Sequence, residues 1–122
     1  MSNSWAGASE ALAADRADTV QRIAALTREF DGIVESAALG ATDDEHDPEG
    51  ATIAFERAQI TSLLEQARDH LADLDQAIRR IEAGIYGRCE DCGQLISAER
   101  LAARPAAPTC IGCAARPDTR SR

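Results

Sequence analysis

Four cysteines, all in the last third of a 122-residue chain, restrict the folds open to it more than any other feature. They form two Cys-x-x-Cys pairs, Cys89 with Cys92 and Cys110 with Cys113, and seventeen residues separate the pairs. That spacing falls in the window of four-thiolate zinc sites. Each pair can present two sulfurs to one ion, the span between them is long enough to bring the chain back, and zinc takes four thiolates tetrahedrally at roughly 2.3 Å. A site filled in this way keeps no position for water and is structural rather than catalytic. Gly93 just after the first pair and Gly112 inside the second suit tight knuckles that need a left-handed backbone. Four thiolates leave one Zn²⁺ overcompensated, and Arg88, Arg100, Arg104 and Arg116 lie close enough in sequence to offset the excess. The pairs could also form two disulfides, which would require an oxidising compartment. A dithiol redox centre would need one pair in a βαβ setting, of which the sequence has no trace. The spacing favours one structural zinc.

Charge is distributed unevenly around these cysteines. Residues 1–87 hold 17 acidic and 7 basic side chains, a net of −10, whereas residues 88–122 hold 4 and 6, a net of +2. Affinity for nucleic acid rests largely on cations that neutralise phosphates, so free duplex DNA or RNA is not expected as a partner of the long acidic part. The four aromatics, Trp5, Phe30, Phe55 and Tyr86, are scattered and build no stacking platform for single strands. The N-terminus is polar and turns acidic by Glu10, unlike a targeting signal, and no apolar run is long enough for a bilayer. The expectation is a soluble, cytoplasmic protein with no membrane partner.

Upstream of the cysteines the pattern is helical. From Ala8 to Leu39 the stripe Leu12, Thr19, Ile23, Leu26, Phe30, Ile33 and Ala37 alternates three and four spacings. It is weak early, where Arg16 and Thr19 occupy positions that should be apolar. Gly40 is a plausible terminator, and the acidic stretch 41–50 follows. Asp47 before Pro48 reads as an N-cap with proline at the first helical position. The second helix carries the clearest heptad signal: Ile53, Ile60, Leu64, Ala67, Leu71, Leu74, Ile78, Ile81 and Ile85, interrupted by Arg57. Two amphipathic helices joined by so short a turn pack antiparallel. The predicted fold is mainly α, a long antiparallel coiled-coil helical hairpin with a small C-terminal four-cysteine zinc finger. Its expected parts are a disordered N-terminus (1–7), the hairpin (8–86) with an acidic tip near 41–50, the finger (87–116) with at most a short β-hairpin inside it, and a flexible tail (117–122). So slender a core is the kind that needs a metal staple.

The residues Ile81-Glu82-x-Gly84-x-Tyr86-Gly87-x-Cys89-x-x-Cys92-Gly93-x-x-Ile96, then Arg100-Leu101-x-Ala103-Arg104-Pro105 and Cys110-x-x-Cys113, resemble the DksA/TraR family of bacterial zinc-finger transcription factors. The likeness covers about Pro48 to Cys113 by motif and the first helix by architecture. It implies a non-enzymatic regulator that binds RNA polymerase directly rather than promoter DNA, with the hairpin in the secondary channel and its acidic tip near the catalytic magnesium. Better-known members carry Asp-Pro-x-Asp-x-Ala at the tip. Here Asp47-Pro48-Glu49-Gly50-Ala51 is one residue shorter, so Asp47, Glu49 and Ala51 are the nearest equivalents, and Asp44 with Asp47 offers another register. Counting from the cysteines, Arg104 keeps its basic character, but Asp73 and Ala114 stand where members that respond to the alarmone ppGpp have lysine. A carboxylate facing a polyphosphate repels it, so no strong ppGpp dependence is expected. The alternatives are a zinc-stabilised adaptor for some other protein and, last, a thiol redox enzyme.

Overall fold

The computed structural model describes residues 5–39 and 48–116. Helix α1 spans Ala6–Leu39, α2 spans Pro48–Ala83, and two short helices follow, α3 at Ala98–Ala103 and α4 at Ile111–Ala115. The fold is mainly α: α1 and α2 pair as an antiparallel hairpin, and the cysteines follow near the C-terminus. Among the described residues the β pairing is a single isolated bridge, Arg88 with Leu95, inside the finger. No described helix is long and apolar enough to cross a membrane.

Contacts divide the chain into two compact units, one of residues 1–17 with 72–122 and one of residues 18–71, and α1 and α2 each contribute to both. In the first, Leu12 and Leu74 are each 1% exposed and cluster with Ala77, Tyr86, Cys89, Ile96, Leu101 and Ala106. In the second, Leu26, Ile60, Leu64 and Ala67 form the core, with Ile23, Phe30 and Ile33 half-buried against it. Full burial of a leucine is worth roughly 1.5–3 kcal/mol, so the early part of α1, which the stripe marks as weak, holds one of the best-seated side chains through Leu12. The two polar positions on that stripe are absorbed differently. Thr19 is buried, while Arg16 is exposed and its Nε donates to Asp75 of α2 at 2.5 Å.

The heptad of α2 departs from expectation at its end. Ile85 lies beyond the helix and is 45% exposed, while Ala77, off the expected seam, is buried. Gly84 explains the first: at φ +79° it takes the left-handed turn that closes a helix, with Gly84 N–H donating to Ile81 O and Ile85 N–H to Arg80 O. That bond pair is the glycine-terminated cap, in which the chain leaves the helical path before Ile85 can reach the seam. The second follows because this end of α2 is covered by the finger as well as by α1, so its buried face is wider than one stripe. Pro48 opens α2 as expected, whereas Gly40 and Asp47 lie outside the described residues. Residues 5–7, expected to be disordered, are ordered here: α1 starts at Ala6, and the Trp5 ring stands edge-on to Tyr86, centroids 4.7 Å apart at 75°.

Candidate metal centre

The finger begins where α2 is capped. Tyr86 is buried and its hydroxyl donates to Pro105 O at 2.6 Å, tying the end of α2 to the loop between the cysteine pairs. Burial pushes the Tyr86 phenol upward. Next to it, Gly87 lies so close beneath the Trp5 ring that a Cβ there would come within 3.3 Å of two ring atoms.

The two knuckles are built differently. In the first, Cys89 N–H donates to Gln94 O, and Gly93 N–H returns to Cys89 O with Gly93 at φ +78°. Glycine is the residue that takes this conformation without strain. Cys92 N–H points at Cys89 Sγ, 3.5 Å away. In the second knuckle the turn is the start of a helix. Cys110 is the N-cap of α4 and its sulfur accepts from Cys113 N–H at 3.5 Å, where a serine or aspartate oxygen would usually stand. Gly112 is therefore an ordinary helical residue with no left-handed backbone, contrary to the sequence expectation. The pairs are joined through the backbone, Glu90 N–H donating to Pro108 O at 3.0 Å. Ser97 caps α3, accepting from Arg100 N–H at 3.1 Å, and the Arg100 side chain donates to Thr109 O at 2.8 Å just before the second pair.

This framework brings the four sulfurs within 4.8 Å of one another. Four atoms at roughly 2.3 Å from one centre lie roughly 3.8 Å apart at tetrahedral angles, and Cys92 Sγ to Cys110 Sγ is 3.9 Å. A disulfide needs about 2.05 Å, and none of the four cysteines is joined to another. The sulfurs cannot all ionise unaided. Burial raises Cys89, but the N–H groups of Cys92, Cys110 and Asp91 and the Cys113 thiol outweigh it and bring Cys89 down to about 6. Cys113 is pushed up to about 12, by burial first and then by the other three sulfurs, with Arg116 pulling the other way. Like charges crowded together disfavour further ionisation, and a dication removes that obstacle.

Of the four arginines expected to offset the excess charge, Arg116 reaches a sulfur, donating to Cys113 at 3.2 Å. Arg88 donates instead to Gly93 O and Arg100 to Thr109 O, so both brace the knuckle backbones. Arg104 is exposed at the end of α3. Arg80, which the sequence did not single out, donates to Arg88 O. Its position in the last turn of α2 was the available signal.

At the other sequence-derived site, Ala51 is exposed on α2. Asp44, Asp47 and the side chain of Glu49 lie outside the described residues.

Comparison with known proteins bears on the same residues. Residues 84–118 match the prokaryotic dksA/traR C4-type zinc finger. The chain is similar along 94% of its length to the structure of transcription factor DksA2 from Pseudomonas aeruginosa, covering 83% of that chain with a TM-score of 0.71 at 26% identity. It is 37% identical over 72 residues to the RNA polymerase-binding transcription factor DksA of Caulobacter vibrioides. Residues 84–118 thus carry a zinc finger of the DksA/TraR type, and the likeness to DksA proteins extends into the helices. The chain is also 41% identical over 66 residues to the uncharacterized protein YteA of Bacillus subtilis. The matched segments are 59% and 54% of this chain and span 51% of the Caulobacter protein and 28% of YteA. The DksA/TraR zinc-finger match and the clustered thiols together support one structural Zn²⁺.

Proposed function

We propose that this protein is a transcription regulator that binds RNA polymerase directly, places the acidic end of its helical hairpin in the secondary channel, and uses zinc held by Cys89, Cys92, Cys110 and Cys113 to fix the base of that hairpin. The observation that carries the reading is the continuity of α2 into the finger. The glycine cap at Gly84, the Tyr86 hydroxyl on Pro105 and the zinc-type knuckle follow each other within a few residues, so the metal orders the end of the helix that would carry the tip. The likeness to a DksA structure through the helices as well as the finger supports it.

The charge supports it as well. Residues 18–71 hold twelve acidic and four basic side chains, a net of −8, and the remaining residues hold nine of each. The protein's whole formal charge of −8 thus belongs to the unit that would enter the channel. Carboxylates of the tip, Asp44, Asp47 and Glu49 beside Ala51, suit a hard Mg²⁺ or basic channel residues. A role for ppGpp is disfavoured, since Asp73 lines a cavity of about 220 Å³ with Arg80, Tyr86 and Glu90 and would repel a polyphosphate there.

In vitro transcription with the cognate polymerase tests the reading. Asp47→Asn with Glu49→Gln should leave zinc content, folding and polymerase binding unchanged and alter transcript yield. A double variant that transcribes like wild type removes the tip assignment. Zinc-loaded protein that fails to bind core polymerase removes the regulator reading and leaves a zinc-stabilised adaptor.

A further inference from the structure

Of the chain's two phenylalanines, Phe30 packs against the core of the 18–71 unit, whereas Phe55 is 69% exposed on α2. Exposure forgoes the roughly 1.5–3 kcal/mol that burial of such a ring returns, and alanine would serve the helix better. On a helix surface the neighbours of position 55 are the residues three and four away, here Ala51, Thr52, Ala58 and Gln59. None carries a charge. Beside this uncharged strip opens a groove of about 490 Å³, lined by Phe30, Ala54, Arg57, Ala58, Thr61 and Glu65 among others. A projecting ring next to a hollow, with small uncharged residues around it and Glu56, Arg57 and Glu65 at the margin, has the composition of an interface centre with its polar rim.

Charge selects the occupant. The unit that bears Phe55 has a net charge of −8. A second copy would bring the same sign, and nucleic acid or an anionic membrane would be repelled in the same way. A basic protein surface is the complement.

We propose that Phe55 is the aromatic anchor by which the 18–71 unit seats on such a surface, its ring entering an apolar slot of the partner while carboxylates elsewhere on the unit meet the partner's cations. The inference rests on the polymerase reading and deepens it by assigning a contact on α2 in addition to the tip. The charges set the rate of encounter and the salt dependence; the buried ring sets the residence time.

The test measures binding of the zinc-loaded full chain to cognate core RNA polymerase at low and high salt, for wild type, Phe55→Ala and Glu56→Gln. Helix content and zinc content are checked on each, and neither should change for substitutions at exposed helical positions. Phe55→Ala should weaken binding by roughly tenfold or more, mainly through faster dissociation, with the salt dependence unaltered. Glu56→Gln should flatten the salt dependence with a smaller loss. Phe55→Ala binding within about twofold of wild type, beside a wild type that does bind, overturns the anchor and leaves the polymerase reading standing. Absence of wild-type binding overturns both. A wild-type dimer that Phe55→Ala converts to monomer would show that the ring seats on a second copy, and that also overturns the proposal.

Discussion

Residues 1–17 and 72–122 carry nine acidic and nine basic side chains, whereas residues 18–71 carry twelve and four. The cores differ in the same direction. The charge-balanced unit buries eight clustered residues, two of them to 1% exposure, and surrounds them with the finger. The acidic unit rests on four, at 6–8% exposure. The same two helices therefore serve a stapled region and a bare one. Self-repulsion of an acidic surface destabilises a compact state, and a narrow seam supplies little to oppose it. The contrast sets the better-seated core beside the cysteine cluster and the excess negative charge in the other unit.

The strongest way to break this contrast is to remove the metal. Cys89→Ser or Cys110→Ser, or a chelator on the wild type, should unfold the finger, because binding of a structural zinc and folding of its knuckles are one process. Trp5 is the sole tryptophan and stands edge-on to Tyr86, so its emission should shift on zinc loss. Hydrogen exchange should accelerate at the amides of 86–116 and around Leu74, with a smaller change around Ile60 and Leu64. Equal acceleration everywhere would mean that the two units melt as one and that the contrast is only compositional. Acid should act as a milder chelator. Cys89, held down to about 6, is a thiolate at neutral pH and is protonated as pH falls through that value. Zinc affinity should accordingly fall toward acid and rise with pH, as seen by competition with a chromogenic chelator.

The parts of the fold that depend on composition were legible in the sequence, and the parts that depend on a second covering surface were not. The cysteine spacing announced the zinc cluster because two ligand pairs need only a return of the chain, and the isoleucine and leucine repeat announced α2 because one stripe faces one partner helix. Ile85 was misassigned since a heptad count has no means of registering that Gly84 turns the chain out of the helix. Ala77 was missed because its burial comes from the finger, a contact remote in sequence. Gly112 was read as a left-handed turn by analogy with Gly93, but a cysteine at a helix N-cap makes the same N–H to sulfur bond with helical backbone. Trp5 lay in a short polar terminus, and nothing local in the sequence points to its partner Tyr86, eighty-one residues on.

Packing variants should sharpen the contrast at the next level. Leu74→Ala removes a side chain that is 1% exposed between helix and finger, and a loss near the upper part of the usual 2–5 kcal/mol for such truncations is expected. Leu64→Ala, at 7% exposure in the acidic unit, should fall near the lower end, since solvent can help fill the space. Denaturant titration of both gives the order, and the reverse order would put the better core in the acidic unit. Tyr86→Phe is smaller still. It keeps the ring and the Trp5 contact but leaves Pro105 O without the hydroxyl donor, at a cost of about 1 kcal/mol.

The smallest effect is expected at Arg16 and Asp75, and it tests whether charge balance itself stabilises the first unit. Arg16 stands on the apolar stripe of α1 yet remains exposed, its Nε 2.5 Å from Asp75 Oδ1; the bond to Asp75 and its charge raise the Arg16 pKa further above its usual value. A pair in solvent exchanges one hydration for another and gives back side-chain freedom when it breaks. Asp75→Asn should thus lower Tm by less than any variant above, and the difference should vanish in about 1 M salt, where screening acts within roughly 3 Å. A fall as large as that of Tyr86→Phe, persisting in high salt, would assign part of the first unit's stability to its paired charges. The contrast between the two units would then rest on electrostatics in both of them, rather than on zinc and packing in one and repulsion in the other.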